Sequence, residues 1–344
     1  MKKILAGMLA LTIALTATAC SQGQTPAADS ASNAGSAASS GAASTSADAS
    51  GYTFKDTVTI TVPFNAGSNT DSQLRFIQPY LEKQLGVSIV VINEGGASGV
   101  IGTTDFLTKP SDGSNILFSL PTPTVYKPAG GETEYSVSDL IPVARTSSSP
   151  FYLAISAENK DFPDGTTLLN YIKANPGKFT YANAGNGGIA HLAFASFLKG
   201  EGLDALSVPF TGGTADCYTA VMGGHVMGHV VSEPDLIGRT DYRVLINLGS
   251  KSTTEGFKDV PTLEELGYEG YSTDTFAGFY YMAGVDSAIV EAFQNAVKAT
   301  LADTDFQAAA ADANFGYQYA DSADFTTMII NTTTLITPVL ESLS

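Results

Sequence analysis

Three stretches of this 344-residue chain set small and polar residues between an apolar run and a helical pattern. They are Pro63-Phe64-Asn65-Ala66-Gly67-Ser68-Asn69-Thr70-Asp71, Asn93-Glu94-Gly95-Gly96-Ala97-Ser98-Gly99 and Asn183-Ala184-Gly185-Asn186-Gly187-Gly188. A helix that opens directly after such a loop presents unpaired N–H groups and a partial positive charge, which is the chemistry of anion binding. Glycine lets a ligand approach the backbone, although a glycine-rich loop also serves simply as a tight turn. The chain has no G-x-x-x-x-G-K-[ST], and residues 95–102 do not spell G-x-G-x-x-G, so a nucleotide enzyme is disfavoured.

Other chemistry is sparser. His225 and His229 have H-x-x-x-H spacing with Glu233 four residues on, but Val226, Val230 and Val231 between glycines read as a strand. Four residues of strand span about 13 Å, too far for one zinc, so no metal is expected. Ser196 and Lys199 match S-x-x-K without a K-T-G, and no G-x-S-x-G is present. His191 follows the third loop, and as a catalytic base it would need a nucleophile and a carboxylate that are not legible nearby. A structural or ligand-contact role suits it better, and the lone thiol of Cys217 reads as small buried packing. The four arginines, Arg75, Arg145, Arg239 and Arg243, lie outside the glycine loops, and Arg75 suits a helical pair with Asp71. An anion at the loops would therefore be held by backbone N–H, hydroxyls and water.

The elements that must position these loops alternate. Val58, Ile60 and Val62 alternate with threonines as a strand, and Leu74, Ile77, Leu81 and Leu85 recur at helical spacing up to Gly86, with Pro79 expected to kink or interrupt the helix. Strands are expected at residues 87–92, 115–120, 152–156, 179–183, 207–210, 226–231 and 244–248. Helices are expected at 168–174, 189–199 and 289–300, and residues 304–337 also read as helical. Apolar strands separated by helices imply an α/β chain with parallel sheet covered on both faces.

Composition narrows the function. Against 17 basic residues stand 34 acidic ones, a formal charge of −17, which argues against nucleic acid and against electrostatic adhesion to anionic lipid. Two cysteines rule out a disulfide scaffold. Lys2 and Lys3 precede an apolar run over residues 4–15, too short to span a bilayer, and Ala17-Thr18-Ala19 leads to Cys20. Residues 1–19 thus read as a signal peptide. Cys20 reads as a lipidated N-terminus of lipobox type, although ordinary secretion with an A-x-A site also fits. Of residues 21–51, 26 of 31 are Ser, Ala, Gly, Thr or Pro, a composition that cannot bury a core, so residues 20–51 make a tether between lipid and domain. The expected location is extracytoplasmic, on the cell membrane through the lipid anchor only.

Across residues 58–283 the segments together resemble the extracytoplasmic receptors of tripartite tricarboxylate transporters, the Bug-type binding proteins. The resemblance rests on Val62-Pro63-Phe64 through Gly67, Thr70, Asp71 and Arg75, on Asn93-Glu94 with Gly96-Ala97-Ser98-Gly99, and on Asp112-Gly113. It continues through Tyr181-Ala182-Asn183, Gly185, Gly187, His191-Leu192-Ala193, Val208-Pro209-Phe210-Thr211-Gly212, Gly223-Gly224-His225-Val226 and Val260-Pro261-Thr262-Leu263-Glu264-Glu265-Leu266-Gly267. It implies a two-lobed periplasmic-binding-protein fold, each lobe a mostly parallel sheet flanked by helices, with residues 52–152 plus 275–344 in one lobe and 153–274 in the other. It also implies a receptor, not an enzyme, that closes on a small di- or tricarboxylate without a cofactor and delivers it to integral-membrane permease subunits, as a monomer. Carried over, the ligand contacts are Phe64, Asn65, Gly67, Ser68, Thr70 and Asp71 from one lobe, and Ala184, Gly185, Asn186, Gly187, Gly188, His191 and Thr211 from the other. Gly67-Ser68 stands where the family often has two glycines, and residues 277–284 read AGFYYMAG where an Ala-Pro-rich strand is usual. A secreted hydrolase using His191 and a surface lipoprotein without a small ligand are the competing readings.

Overall fold

The structure is a computed structural model and describes residues 52–343 apart from 55, 211, 212 and 314. The expected signal peptide, the lipidated Cys20, the tether and Thr211 lie outside the described residues. Strands are β1 (Val58–Val62), β2 (Ile89–Asn93), β3 (Asn115–Ser119), β4 (Leu140–Ser156), β5 (Thr180–Asn183), β6 (Leu206–Pro209), β7 (Gly228–Ser232), β8 (Tyr242–Asn247) and β9 (Asp274–Met282). Helices are α1 (Asn69–Leu85), α2 (Val100–Phe106), α3 (Lys127–Ala129), α4 (Gly165–Ala174), α5 (Ile189–Gly200), α6 (Thr214–Met222), α7 (Glu233–Leu236), α8 (Ser287–Ala302), α9 (Thr304–Asp312) and α10 (Ser322–Leu343). Among the described residues no helix is long and apolar enough to cross a membrane.

The described strands form one sheet in the order β2-β1-β3-β9-β4-β7-β5-β6, with β8 also on β4. Strands followed by a crossover helix pair parallel, β1 with β2 and β3, and β5 with β6 and β7. The long strand β4 and its partners β7, β8 and β9 pair antiparallel. One apolar cluster gathers β1, β3, β9 and the first part of β4 with α1, α8 and α10. Two others gather the end of β4 with β5, β7, β8 and the helices α4, α5 and α6.

Residues 140–151 had no strand signal because Pro142, Pro150 and the polar text Arg145-Thr146-Ser147-Ser148-Ser149 break any alternation. Register shifts in the β4–β9 pairing, between Pro142 and Ala144 and between Arg145 and Ser147, accommodate this text within one strand. The expected interruption at Pro79 does not occur. Helix α1 runs through it, since the missing N–H removes one bond while Leu74, Ile77, Leu81 and Leu85 bury on both sides of it. The helical reading of 304–337 is corrected to two helices. The stretch between them turns back to the sheet, where the Gln318 N–H donates to the Thr146 carbonyl and the Ala320 N–H to that of Arg145.

Candidate functional site

The candidate residues sit on two strand-to-helix turns: loop 1, residues 63–68, from β1 to α1, and loop 3, residues 184–188, from β5 to α5. Pairings place both relative to β4. Thr61 aligns through Leu117 and Tyr280 with Pro142, and Ala182 aligns through His229 with Ala154. Strand β1 runs with β4 and β5 runs against it, so the carboxyl ends of both point toward the middle of β4, residues 147–150. Ligands of open α/β sheets bind at such carboxyl ends. The Ser147 hydroxyl donates to Gln73 Oε1 of α1 at 3.4 Å, which brings the start of that helix to the same stretch.

The two turns share one backbone plan. Gly67 (φ 80°) and Gly187 (φ 72°) occupy the left-handed region, where other residues are strained. Each is followed by an extended N-cap, Ser68 at φ −64°, ψ 162° and Gly188 at φ −72°, ψ 161°. The Ser68 N–H donates to the Asn65 carbonyl at 3.1 Å and the Gly188 N–H to the Gly185 carbonyl at 3.2 Å. In both, the left-handed glycine donates its N–H to a side chain four residues on: Gly67 to Asp71 Oδ2 at 2.8 Å, Gly187 to His191 Nδ1 at 3.1 Å. The tips Asn65, Ala66, Gly67, Ala184, Asn186 and Gly188 are exposed, while Asp71 and His191 are buried.

The scaffolds beneath differ. Asp71 also accepts from Arg75 Nε at 3.0 Å and from Asn93 Nδ2 at 3.0 Å, and Asn93 Nδ2 donates to the Phe64 carbonyl as well. Burial alone would raise the Asp71 carboxyl, but the bonds from Arg75, Gly67 and Asn93 outweigh it and hold the group below its ordinary 3.8. In loop 3 the Gly185 N–H donates to Asn183 Oδ1 at 2.9 Å, and Asn183 Nδ2 donates to Ser207 Oγ at 2.7 Å. Burial pushes the His191 imidazole below 6.5, so at neutral pH it is uncharged with Nδ1 free to accept. That role is a scaffold's rather than a base's.

The structure therefore gives the sequence candidates two kinds of place. Asp71 and His191 lie under the turns with their acceptor atoms engaged, whereas Asn65, Ser68, Thr70, Asn186 and Gly188 belong to the helix entries. By helix geometry the N–H groups of Asn69 and Thr70, and of Ile189 and Ala190, have no carbonyl four residues back within their helices. The second glycine loop has another use. A Cβ at Gly95 would overlap Asn65 Oδ1, and one at Gly99 would come within 2.8 Å of Pro123 and 3.3 Å of Phe64, so these glycines let the loop pack beneath loop 1. Sequence reasoning named Asn93 and Asn183 as the residues that open the second and third loops but not as the side chains that brace loops 1 and 3, and it missed Ser207. His229, one of the H-x-x-x-H pair, lies in β7 with Nδ1 2.6 Å from the Tyr242 hydroxyl.

Residues 74–344 match the family model described as TctC, tripartite tricarboxylate transporter family receptor. Protein BugT of Bordetella pertussis is 29% identical over 240 residues, covering 68% of this chain and 72% of that protein. A TctC solute binding protein from Polaromonas is similar in structure, with a TM-score of 0.76 and 25% identity over 83% of this chain and 98% of that one. MatC from Rhodopseudomonas palustris, solved with bound malate, has the same fold at a TM-score of 0.58 and 21% identity, over 83% of this chain and 99% of that one.

Proposed function

We propose that this protein captures a small di- or tricarboxylate between loops 1 and 3, on the premise that the chain belongs to the family of tripartite tricarboxylate transporter receptors. That family comprises extracytoplasmic solute receptors, not enzymes. The observation that carries the ligand class is the repeated turn: two exposed helix entries, one on either side of β4 and both directed toward its middle, held by buried side chains and lacking a cationic side chain at the tip. Such entries suit carboxylates, one from each side of a short diacid. The malate in MatC, a relative in fold, is a ligand of that class.

In this reading residues 52–152 plus 275–344 and residues 153–274 act as lobes that close on the acid, the ligand selecting the closed state. In the same reading β4 crosses from one lobe to the other, and Ser147, Ser148 and Ser149 lie on it shortly before the 152/153 boundary. The closed form is what the permease subunits receive, and lipidation at Cys20 with the 20–51 tether holds the receptor at the membrane.

The test is a thermal-shift screen against succinate, malate, tartrate and citrate, with neutral sugars as controls. At a hundred times its dissociation constant a bound acid adds about 2.7 kcal/mol of stability, a shift of several degrees. A response to sugars and none to any acid would overturn the ligand class.

A further inference from the structure

We propose that the hydroxyls of Ser149 and Thr275 form the floor of the ligand site and select a short diacid that carries a hydroxyl on its carbon chain. The inference rests on the reading of the loops above and narrows it from diacids at large to hydroxylated ones.

Ser149 of β4 pairs directly with Thr275 of β9, in the stretch toward which both helix entries point. Side chains alternate between the faces of a strand, so Ser147 and Ser149 share one face with their partners Ala277 and Thr275. Ser147 donates to Gln73 of α1, so this face is the one turned to the start of that helix. Along it the small side chains lie between Phe279 and Phe151, which are buried in different core clusters. Small residues between two aromatic ones leave room above the strands.

The two faces treat their hydroxyls differently. On the opposite one Ser148 donates to Asp274 Oδ2 at 2.8 Å, and Ser250 reaches the same carboxylate through its N–H at 2.9 Å and its hydroxyl at 2.6 Å. Ser149 and Thr275 are half-buried, and neither hydroxyl makes a hydrogen bond among the described residues. Directly opposed residues of an antiparallel pair lie about 4.5–5.5 Å apart, so a ligand hydroxyl set between them reaches both. It donates to one and accepts from the other. A methylene in its place would strip water from both side chains and return no bond. The floor is also neutral, with Asp274 turned to the other face, so an ammonium there would lose water without gaining a carboxylate.

Calorimetry on the purified full chain compares malate, succinate and aspartate. The parent should bind malate about tenfold or more tighter than either of the others. S149A and T275V should each cut the preference over succinate about fivefold by weakening malate, with succinate held within about twofold, and T275S should keep it. S149A and T275S should melt with the parent, since neither loses a bond within the protein. Malate bound no tighter than succinate or aspartate, or variants that weaken malate and succinate alike, overturns the floor and leaves the loops standing, because Gly187→Val would still weaken both acids. Absence of binding by any of the acids overturns the loops and the floor together.

Discussion

Loop 1 and loop 3 follow one backbone course and differ in the group that fixes it. In loop 1 the anchor is a carboxylate, Asp71, tied to Arg75 and Asn93 as well as to Gly67. In loop 3 it is a neutral imidazole, His191, with the Gly187 N–H as the bond that ties it to the turn. The consequence is electrostatic. Asp71 places a negative charge in the first turn of α1, where Arg75 balances it, while α5 has no acid in its first turn. The dipole of α5 therefore faces outward without opposition, and that of α1 does not. Loop 3 should hold the ligand carboxylate more strongly, and loop 1 should be the more firmly built.

The sharpest test of that asymmetry is a matched pair of substitutions. Gly67→Val and Gly187→Val both put a β-branched residue at positive φ, where neither Cβ meets a close neighbour, so each costs about 1–2 kcal/mol of backbone strain. Their effects on binding should differ. Gly187→Val is expected to weaken the acid about 100-fold or more by calorimetry, and Gly67→Val about tenfold. The reverse order would break the claim that α5 is the principal anchor.

Removing the anchors probes the other half of the comparison. Asp71→Ala removes the acceptor of the Gly67 N–H and one acceptor each from Arg75 and Asn93, which keep the Asn93 Oδ1 and the Phe64 carbonyl, and should cost about 2–3 kcal/mol in denaturant unfolding. His191→Ala deletes one neutral bond and a buried ring, and about 1–2 kcal/mol is expected. The pH windows separate as well. Both folded-state values are depressed, so each group's contribution is present above its ordinary value and lost as pH falls through the folded one. Loss from His191 begins near 6.5 and loss from Asp71 only below 3.8. Burial also holds the His229 imidazole down, to about 4, so the melting temperature of the parent should begin to fall below pH 6.5 and that early decline should be shallower, though not abolished, in His191→Asn.

Both turns were legible as strand, glycine loop and helix because their signals are local: alternating Val58, Ile60 and Val62, a run of small and polar residues, helical spacing up to Gly86. Asp71 and His191 were legible as residues and not as roles. A side chain that accepts from a glycine four positions back cannot be told from one that faces a ligand until φ at that glycine is known. The bracing roles of Asn93 and Asn183 were out of reach because their partners, Asp71 and Ser207, are 22 and 24 residues away. The crossing strand β4 was hidden for a different reason. Its pairing comes from β9, more than a hundred residues later, and overrides two prolines and a run of serines that no local propensity would assign to a strand.

The smallest expected effect concerns the capping side chain that loop 1 adds to the shared plan. Ser68 accepts the Asp71 N–H at 3.2 Å as an N-cap, and Gly188 has no side chain to do so. Ser68→Gly converts loop 1 to the chemistry of loop 3 at that position. Glycine caps only a few tenths of a kcal/mol less well than serine, so unfolding should shift by about that amount. If the hydroxyl only caps the helix, acid affinity should stay within about twofold. A larger loss, with the melting curve nearly unmoved, would mean that Ser68 leaves its cap to reach the ligand. Loop 1 would then bind through a side chain where loop 3 binds through its backbone.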